Sequence, residues 1–490
     1  MNPIKFGTDG WRGIIADDFT FDRVALVAPL AAQVLAQTGG SDGSSGTVIV
    51  GHDRRFLAEE FAKTAAVAVQ NAGFDVLLSE SYAPTPAFSL AAKQLNALGA
   101  IVLTASHNPG AYLGLKVKGG FGGSVSPEVT QQIEEKLENP AALSATPGKL
   151  ENFNPWPAYC KTLREMVDIE AIKEAIASGK ITVFVDVMHG AAAGGLAQIL
   201  EVPVHEVNSD RDPLFGGGAP EPLPRYLSQL FRVMRTHQRK SSGLSIGFVF
   251  DGDSDRIAAV DSSGNFLSSQ ILVPILIEHL AKRRGLTGEV IKTVSGSDII
   301  PKIAKLYSLP LFETPIGYKY IADRMLTTQV LVGGEESGGI GYGTHIPERD
   351  ALLSALYLLE AVVKSGEDLS EIYSRLQQET SFTSAYDRID LHLANMEERS
   401  RLLSLLQNQP LTEIAGKAVV DCNKVDGYKF RLSDGSWLLI RFSGTEPVLR
   451  LYSEAATLKE VMQNLNWAKA WAHNVRIQVK NSERESRKIW

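Results

Sequence analysis

The chain has 490 residues, 44% hydrophobic and 21% charged, with a formal net charge of −7 and two cysteines. That is a globular composition long enough for about three or four domains, and its acidic balance argues against a nucleic-acid or anionic-membrane binder, which needs Lys and Arg clustered over a whole face. Cys160 and Cys422 stand far apart without other metal ligands beside them, so neither a disulfide framework nor a zinc site is suggested. With no apolar leader after Met1 and no uncharged apolar run of spanning length, the protein is expected to be cytoplasmic, untargeted, complete from its first residues and without a membrane partner.

The segment from Lys5 to Gly13 packs three glycines, an aspartate and Arg12 together and reads as a ligand loop. A helix from Val24 to Gln37 follows, then a mobile Gly/Ser/Asp linker from Gly39 to Gly46. Val48–Gly51 predicts a strand, Leu57–Asn71 an amphipathic helix closed by Gly73, Phe74–Leu78 a strand and Ala87–Lys93 a helix. Ala100–Leu103 is a further strand. This βαβ rhythm predicts an α/β domain over 1–145 with a mostly parallel sheet. After a Pro-rich crossing at 140–157 and a helix including Tyr159–Val167, the rhythm restarts. Strands at Ile181–Asp186, Val204–Val207 and Ser245–Phe250, with a helix at Gly190–Leu200, make a second domain over 146–262. A third, over 263–375, has helices at Ile271–Arg284, from Asp298, from Tyr320 and at Asp350–Lys364, and strands at Val290–Val294, Leu309–Glu313 and Val330–Val332. The rhythm suggests that the three share a topology, although no strict residue-level repeat is present. From 376 to 490 alternating strands (Ser384–Leu391, Gly427–Leu432, Ser436–Arg441, Val448–Ser453) and helices at Met396–Leu406 and Leu458–His473 predict a smaller α+β domain, ending in a solvated mixed-charge tail at Lys480–Lys488.

Each unit delivers one polar, glycine-containing loop. In Thr104-Ala105-Ser106-His107-Asn108-Pro109 the strand breaks, which predicts Ser106 exposed at a strand's carboxyl end, where open α/β sheets keep their chemistry. Alone, such a serine reads first as a turn-capping hydroxyl. Asp251-Gly252-Asp253-Ser254-Asp255-Arg256 sets three carboxylates at alternate positions behind the apolar Phe248-Val249-Phe250, a hard-oxygen cage suited to Mg²⁺. An EF-hand is excluded, because its sixth and twelfth positions would be Arg256 and Ser262 rather than Gly and Glu. Glu335 and Ser337, in a glycine loop after Leu331-Val332, offer an acceptor and a donor for sugar hydroxyls, with a plain glycine turn as the rival reading. Arg441, Ser443, Gly444 and Thr445 form the donor set for a phosphate dianion, with Arg450 offering a second fork. Lys116 reads either as a proton carrier or phosphate ligand or as an ordinary strand lysine.

A candidate nucleophilic serine, a triple-Asp loop, a Glu/Ser loop and an Arg/Ser/Thr loop, in this order and one per domain, resemble the α-D-phosphohexomutase superfamily, the phosphoglucomutase/phosphomannomutase family, over essentially the whole chain. The resemblance implies three consecutive α/β domains of similar topology plus a C-terminal α+β domain around a central cleft. It implies that Ser106 is phosphorylated, that Asp251, Asp253 and Asp255 hold Mg²⁺ together with the serine phosphate, and that Arg256 steadies that phosphate. It assigns Glu335 and Ser337 to sugar hydroxyls, and Arg441, Ser443, Gly444 and Thr445 to the non-reacting phosphate. Arg12, His107, Lys116 and Lys319 match further active-site positions. One departure is Tyr112-Leu113-Gly114, where family members commonly carry Tyr-Asn-Gly.

The implied function is a mutase interconverting hexose 1- and 6-phosphates of glucose or mannose through phosphoserine and a hexose 1,6-bisphosphate, which also recharges the serine. Sugar phosphates are then the partners, and the protein a monomer or homodimer. The same residues would serve a hexose 1,6-bisphosphate synthase that releases the bisphosphate. An aspartyl-phosphate phosphatase built on Asp251 leaves the Ser106, Glu335 and Arg441 loops unexplained, and a non-catalytic sugar-phosphate sensor would not need an intact nucleophile and metal loop.

Overall fold

The computed structural model describes residues 3–7, 9–38, 45–138, 146–443 and 447–486, with side chains to residue 474. Most of the expected linker Gly39–Gly46, and the candidate site residues Gly444 and Thr445, lie outside the described residues. The chain forms two compact units, one of Met1–Ile291, Ala304–Phe312 and Gly317–Leu376, the other of Lys292–Ile303, Glu313–Ile316 and Gln377–Trp490.

The first sheet has seven strands, in the order Phe6–Gly7, Gly10–Ile14, Tyr112–Gly119, Gly99–Leu103, Thr47–His52, Asp75–Ser79, Leu150–Phe153. Its Thr47–His52 and Asp75–Ser79 strands pair in parallel with their neighbours, as the βαβ rhythm requires. The other half is antiparallel, which corrects the expectation of a mostly parallel sheet. For Gly99–Leu103 with Tyr112–Gly119 the cause is the Pro109-Gly110 turn, because a chain that returns within a few residues can only pair antiparallel. The same sheet recruits the expected ligand loop, since Phe6–Gly7 and Gly10–Ile14 form a hairpin carrying Arg12, and its last strand lies beyond residue 145. Apolar faces of Phe21–Thr38 and Ala58–Asn71 close one core with Trp11, Val50, Ile101 and Leu115. Leu113 is in that core too, so the residue that departs from the family pattern packs inward.

A second sheet runs Phe266–Leu267, Ile257–Val260, Leu244–Phe250, Ile181–Asp186, His205–Val207, and a third Leu311–Thr314, Glu289–Thr293, Val330–Gly334, Ile340–Tyr342. In each a long buried strand ends in one of the polar loops: Leu244–Phe250 leads to Asp251, and Val330–Gly334 to Glu335. The six-stranded sheet of the second unit is antiparallel throughout and is backed by Met396–Asn408 and Leu458–Ser486, an α+β arrangement as expected. That last helix runs through the expected solvated tail as far as Ser486. Among the described residues no helix is long and apolar enough to cross a membrane.

Candidate active site

Gly99–Leu103 is buried at every position, and the chain leaves it through Thr104 into the serine loop. Ser106 stands at the strand's carboxyl end, but only 1% exposed, correcting the expectation of an exposed hydroxyl. The reason is that the loop is covered by the acid loop of the next domain: a Cβ on Gly252 would fall 2.3 Å from the Ser106 carbonyl, so only glycine permits this approach. Ser106 has φ 52°, its amide donates to Thr104 Oγ1 at 2.9 Å, and its Oγ donates to Asp251 Oδ2 at 2.8 Å. His107 Nδ1 lies 3.3 Å from the same Oγ.

The acid loop turns on Ser254 (φ 61°), while Asp251 Oδ1 accepts the amides of Asp255 and Arg256 at 3.0 and 3.1 Å. This local turn brings ligand oxygens of Asp251, Asp253 and Asp255 within 4.8 Å of one another, all fully buried. Asp253 Oδ1 and Asp255 Oδ1 are buried without a hydrogen-bond partner. Burial, then repulsion from Asp255 and Asp253, pushes the Asp251 carboxyl well above its ordinary range. Buried oxygens that lack partners and repel one another fit a small hard cation.

Lys116, on the antiparallel strand beside the serine strand, is buried rather than exposed. Its Nζ meets Asp9 and Asp253 at 2.7 Å and Asp255 at 2.9 Å. Burial would lower its pKa, but the three carboxylates outweigh that and hold the ammonium protonated. Asp253 is also clamped by Thr85 Oγ1 at 2.6 Å, and Arg349 bridges Asp9 and Asp255 at 2.5 and 2.7 Å. Behind them Lys118 pairs with Glu348 at 2.5 Å. Arg12 donates to Asn108 Oδ1 at 2.5 Å. Burial and the nearby Arg256, Arg12 and Lys116 depress His107 well below the usual imidazole range, leaving it neutral. Arg256 lies about 4 Å from both Asp251 and Asp255.

The glycine loop is tied to the acid loop: Arg256 bridges Gly339 in antiparallel register, and Glu335 N donates to Gly339 O at 2.9 Å. Glu335 is buried, which raises its carboxyl pKa against the pull of Arg349 and Arg256, and Ser337 is half-buried. The Lys319 ammonium lies over the ring of Tyr320 at 4.9 Å.

In the second unit Arg441 and Arg450 stand opposite one another on paired strands. Arg441 Nε donates to Asp426 Oδ2 at 2.9 Å. Ser443 is buried, and its carbonyl accepts from Arg399 Nε at 2.5 Å. Two cations in cross-strand register repel unless anions lie beside them; Asp426 answers Arg441, and Asp390 stands in register with Arg450 on its other side.

Of the residues that complete the cluster around Ser106, Asp9 belongs to the expected ligand loop, whereas sequence reasoning missed Asp53, Arg55, Thr85, Arg349 and the Lys118–Glu348 pair. A signal existed for Asp53 and Arg55: they end a strand parallel to that of Ser106, so they share its carboxyl edge.

Four family models match the chain. They are the α/β/α domain I of phosphoglucomutase/phosphomannomutase at residues 3–143, domain II at 157–264, domain III at 268–380 and the C-terminal domain at 398–465. A phosphoglucomutase/phosphomannomutase of Thermococcus kodakarensis is 28% identical over 466 residues, covering 94% of this chain and 96% of its own. A phosphoglucosamine mutase of Thermotoga maritima is 28% identical over 472 residues, covering 94% and 97%. The crystal structure of a protein described as a phosphomannomutase from Thermus thermophilus superposes with a TM-score of 0.83 at 32% identity, covering 96% of this chain and 99% of that one.

Proposed function

Since the chain belongs to the phosphoglucomutase/phosphomannomutase family, we propose that it interconverts hexose 1- and 6-phosphates, glucose and mannose phosphates first, through phosphorylated Ser106 and a hexose 1,6-bisphosphate. The observation that carries this reading is the Ser106 hydroxyl, buried and 2.8 Å from Asp251 among three carboxylates and flanking cations. Phosphoryl transfer asks mainly for positioning and charge neutralisation, and this cluster supplies both. Asp251, Asp253 and Asp255 would hold Mg²⁺, which when bound supplies a Lewis acid at the phosphoryl oxygens.

Ser106 receives the phosphoryl group and returns it to the other end of the sugar. Arg256 and Arg12 steady the serine phosphate, with neutral His107 beside Oγ, whose hydrogen Asp251 accepts. Lys116, held protonated, donates to a phosphoryl oxygen or to the departing sugar hydroxyl. Glu335 and Ser337, with Lys319, take the sugar hydroxyls. Arg441, Ser443, Gly444, Thr445 and Arg450 take the phosphate that is not reacting. A buried serine also keeps water from the phosphoester.

The test is a panel of glucose, mannose and glucosamine monophosphates with and without glucose 1,6-bisphosphate; the amino sugar is included because a relative of equal identity is named for it. Isomerisation of a glucose or mannose phosphate that depends on the bisphosphate is expected. Turnover of glucosamine phosphate alone would overturn the substrate assignment, and turnover of none would overturn the proposal.

A further inference from the structure

Arg55 is fully buried and spends four donor contacts on the serine loop. Nη2 donates to the carbonyls of Ser106 at 2.7 Å and Asn108 at 2.6 Å, and Nη1 to those of Pro109 and Tyr112, both at 3.0 Å. Its Nε faces Asp53 Oδ2 at 3.3 Å, and the ring of Phe215 lies 4.7 Å from the guanidinium carbon. Asp53 closes the circuit: Oδ1 accepts the Arg55 amide at 2.9 Å, and Oδ2 accepts Thr104 Oγ1 at 2.6 Å, the same oxygen that accepts the Ser106 amide.

Four carbonyls converge on one buried point, where that of Pro109 also accepts the Tyr112 amide at 3.0 Å, and Ser106 holds a left-handed φ that a residue with a Cβ adopts only when its surroundings impose it. A planar fork of donors satisfies that convergence, whereas an ammonium has three donors and no plane. We infer that Arg55 is the positioning residue for the transfer step: its guanidinium stitches residues 106–112 into the shape that points the Ser106 Oγ at Asp251. This rests on the reading of Ser106 as the phosphoryl carrier. Arg55 acts through the loop backbone only. It is the part that keeps the loop in place while Ser106 gains and loses a dianion.

The experiment compares the full-length protein with Arg55→Lys by the rate of phosphate uptake at Ser106 from glucose 1,6-bisphosphate, by steady-state kinetics, and by amide exchange across the serine and acid loops. Loosening an aligned nucleophile should slow uptake and kcat by up to about 100-fold while KM stays within about two-fold. Exchange should accelerate in residues 106–112 and stay unchanged in 251–256. Thr104→Val, which cuts the Asp53 link, should repeat this pattern more weakly, and Thr104→Ser should restore it. If Arg55→Lys does not fold, the Thr104 pair carries the test. Normal uptake despite faster loop exchange, or a loss confined to KM, would overturn the inference. No uptake by the unaltered protein would instead overturn the phosphoserine reading, and unchanged exchange in Arg55→Lys would then still overturn the clamp.

Discussion

The main-chain amide of Ile257 donates to the carbonyl of Gly338 at 3.0 Å, so the acid loop and the glycine loop share backbone hydrogen bonds although about 80 residues separate them. With Gly252 against the Ser106 carbonyl, three loops from three family domains form one bonded cluster within the first unit.

Gly338→Ala should therefore disturb metal and sugar handling together. Gly338 has φ 98°, and a Cβ there would sit 2.6 Å from the Ile257 carbonyl. A loss of roughly 1–3 kcal/mol in urea unfolding is expected, with weaker monophosphate binding and a higher Mg²⁺ requirement. A change in one ligand's affinity alone would show that the loops act separately.

What the sequence revealed followed a simple rule: an apolar strand ending in an unusual polar cluster is visible without a structure. Ser106, the three aspartates and Glu335 obeyed it. The exposure of Ser106 was misread because polar loops are ordinarily solvated, whereas here loops from different domains cover one another. Arg349 and Glu348 were invisible because they precede a helix in a segment of ordinary composition, and the helix Pro127–Glu138 because Ile133 is its only fully buried residue.

Asp253→Asn should raise the Mg²⁺ needed for half-maximal activity by at least about 10–100-fold, the penalty known even for outer-shell partners. Titration of activity with Mg²⁺ reads this. Binding of glucose 6-phosphate in chelator should hardly change, because Asp253 is assigned no sugar contact; an equal loss there would contradict the metal assignment.

Arg441→Ala should weaken glucose 1-phosphate and glucose 6-phosphate alike, by roughly 1.5–3 kcal/mol for charge-assisted hydrogen bonds. Each end of the sugar must take its turn as the distal phosphate. Arg441→Lys should recover only part of the loss. Calorimetry on the dephosphorylated variants decides, and a defect for one isomer alone would end the shared-site idea.

Acid lability should centre on Glu360, buried and bonded to His279 at 2.7 Å, Arg284 at 2.7–2.8 Å and the amide of Asp168 at 2.8 Å. Burial would raise its carboxyl, but these partners outweigh that and hold it at about 2. Because the folded pKa lies below the unfolded value, its contribution is present above about pH 4.3 and is lost as pH falls from there toward 2. Glu360→Gln should thus be less stable by on the order of 2–3 kcal/mol at pH 7, with the gap to the unaltered protein narrowing below about pH 4.3. A gap independent of pH would refute this.

The central claim is that Ser106 carries the phosphoryl group, and intact mass spectrometry with a peptide map tests it most directly. Incubation with glucose 1,6-bisphosphate should add one phosphoryl group to the protein, located at Ser106. Ser106→Ala should fold, since losing one hydrogen bond costs on the order of 1 kcal/mol, and should take up none. Stoichiometric phosphate on the alanine variant, or phosphate mapped to another residue, would contradict the account.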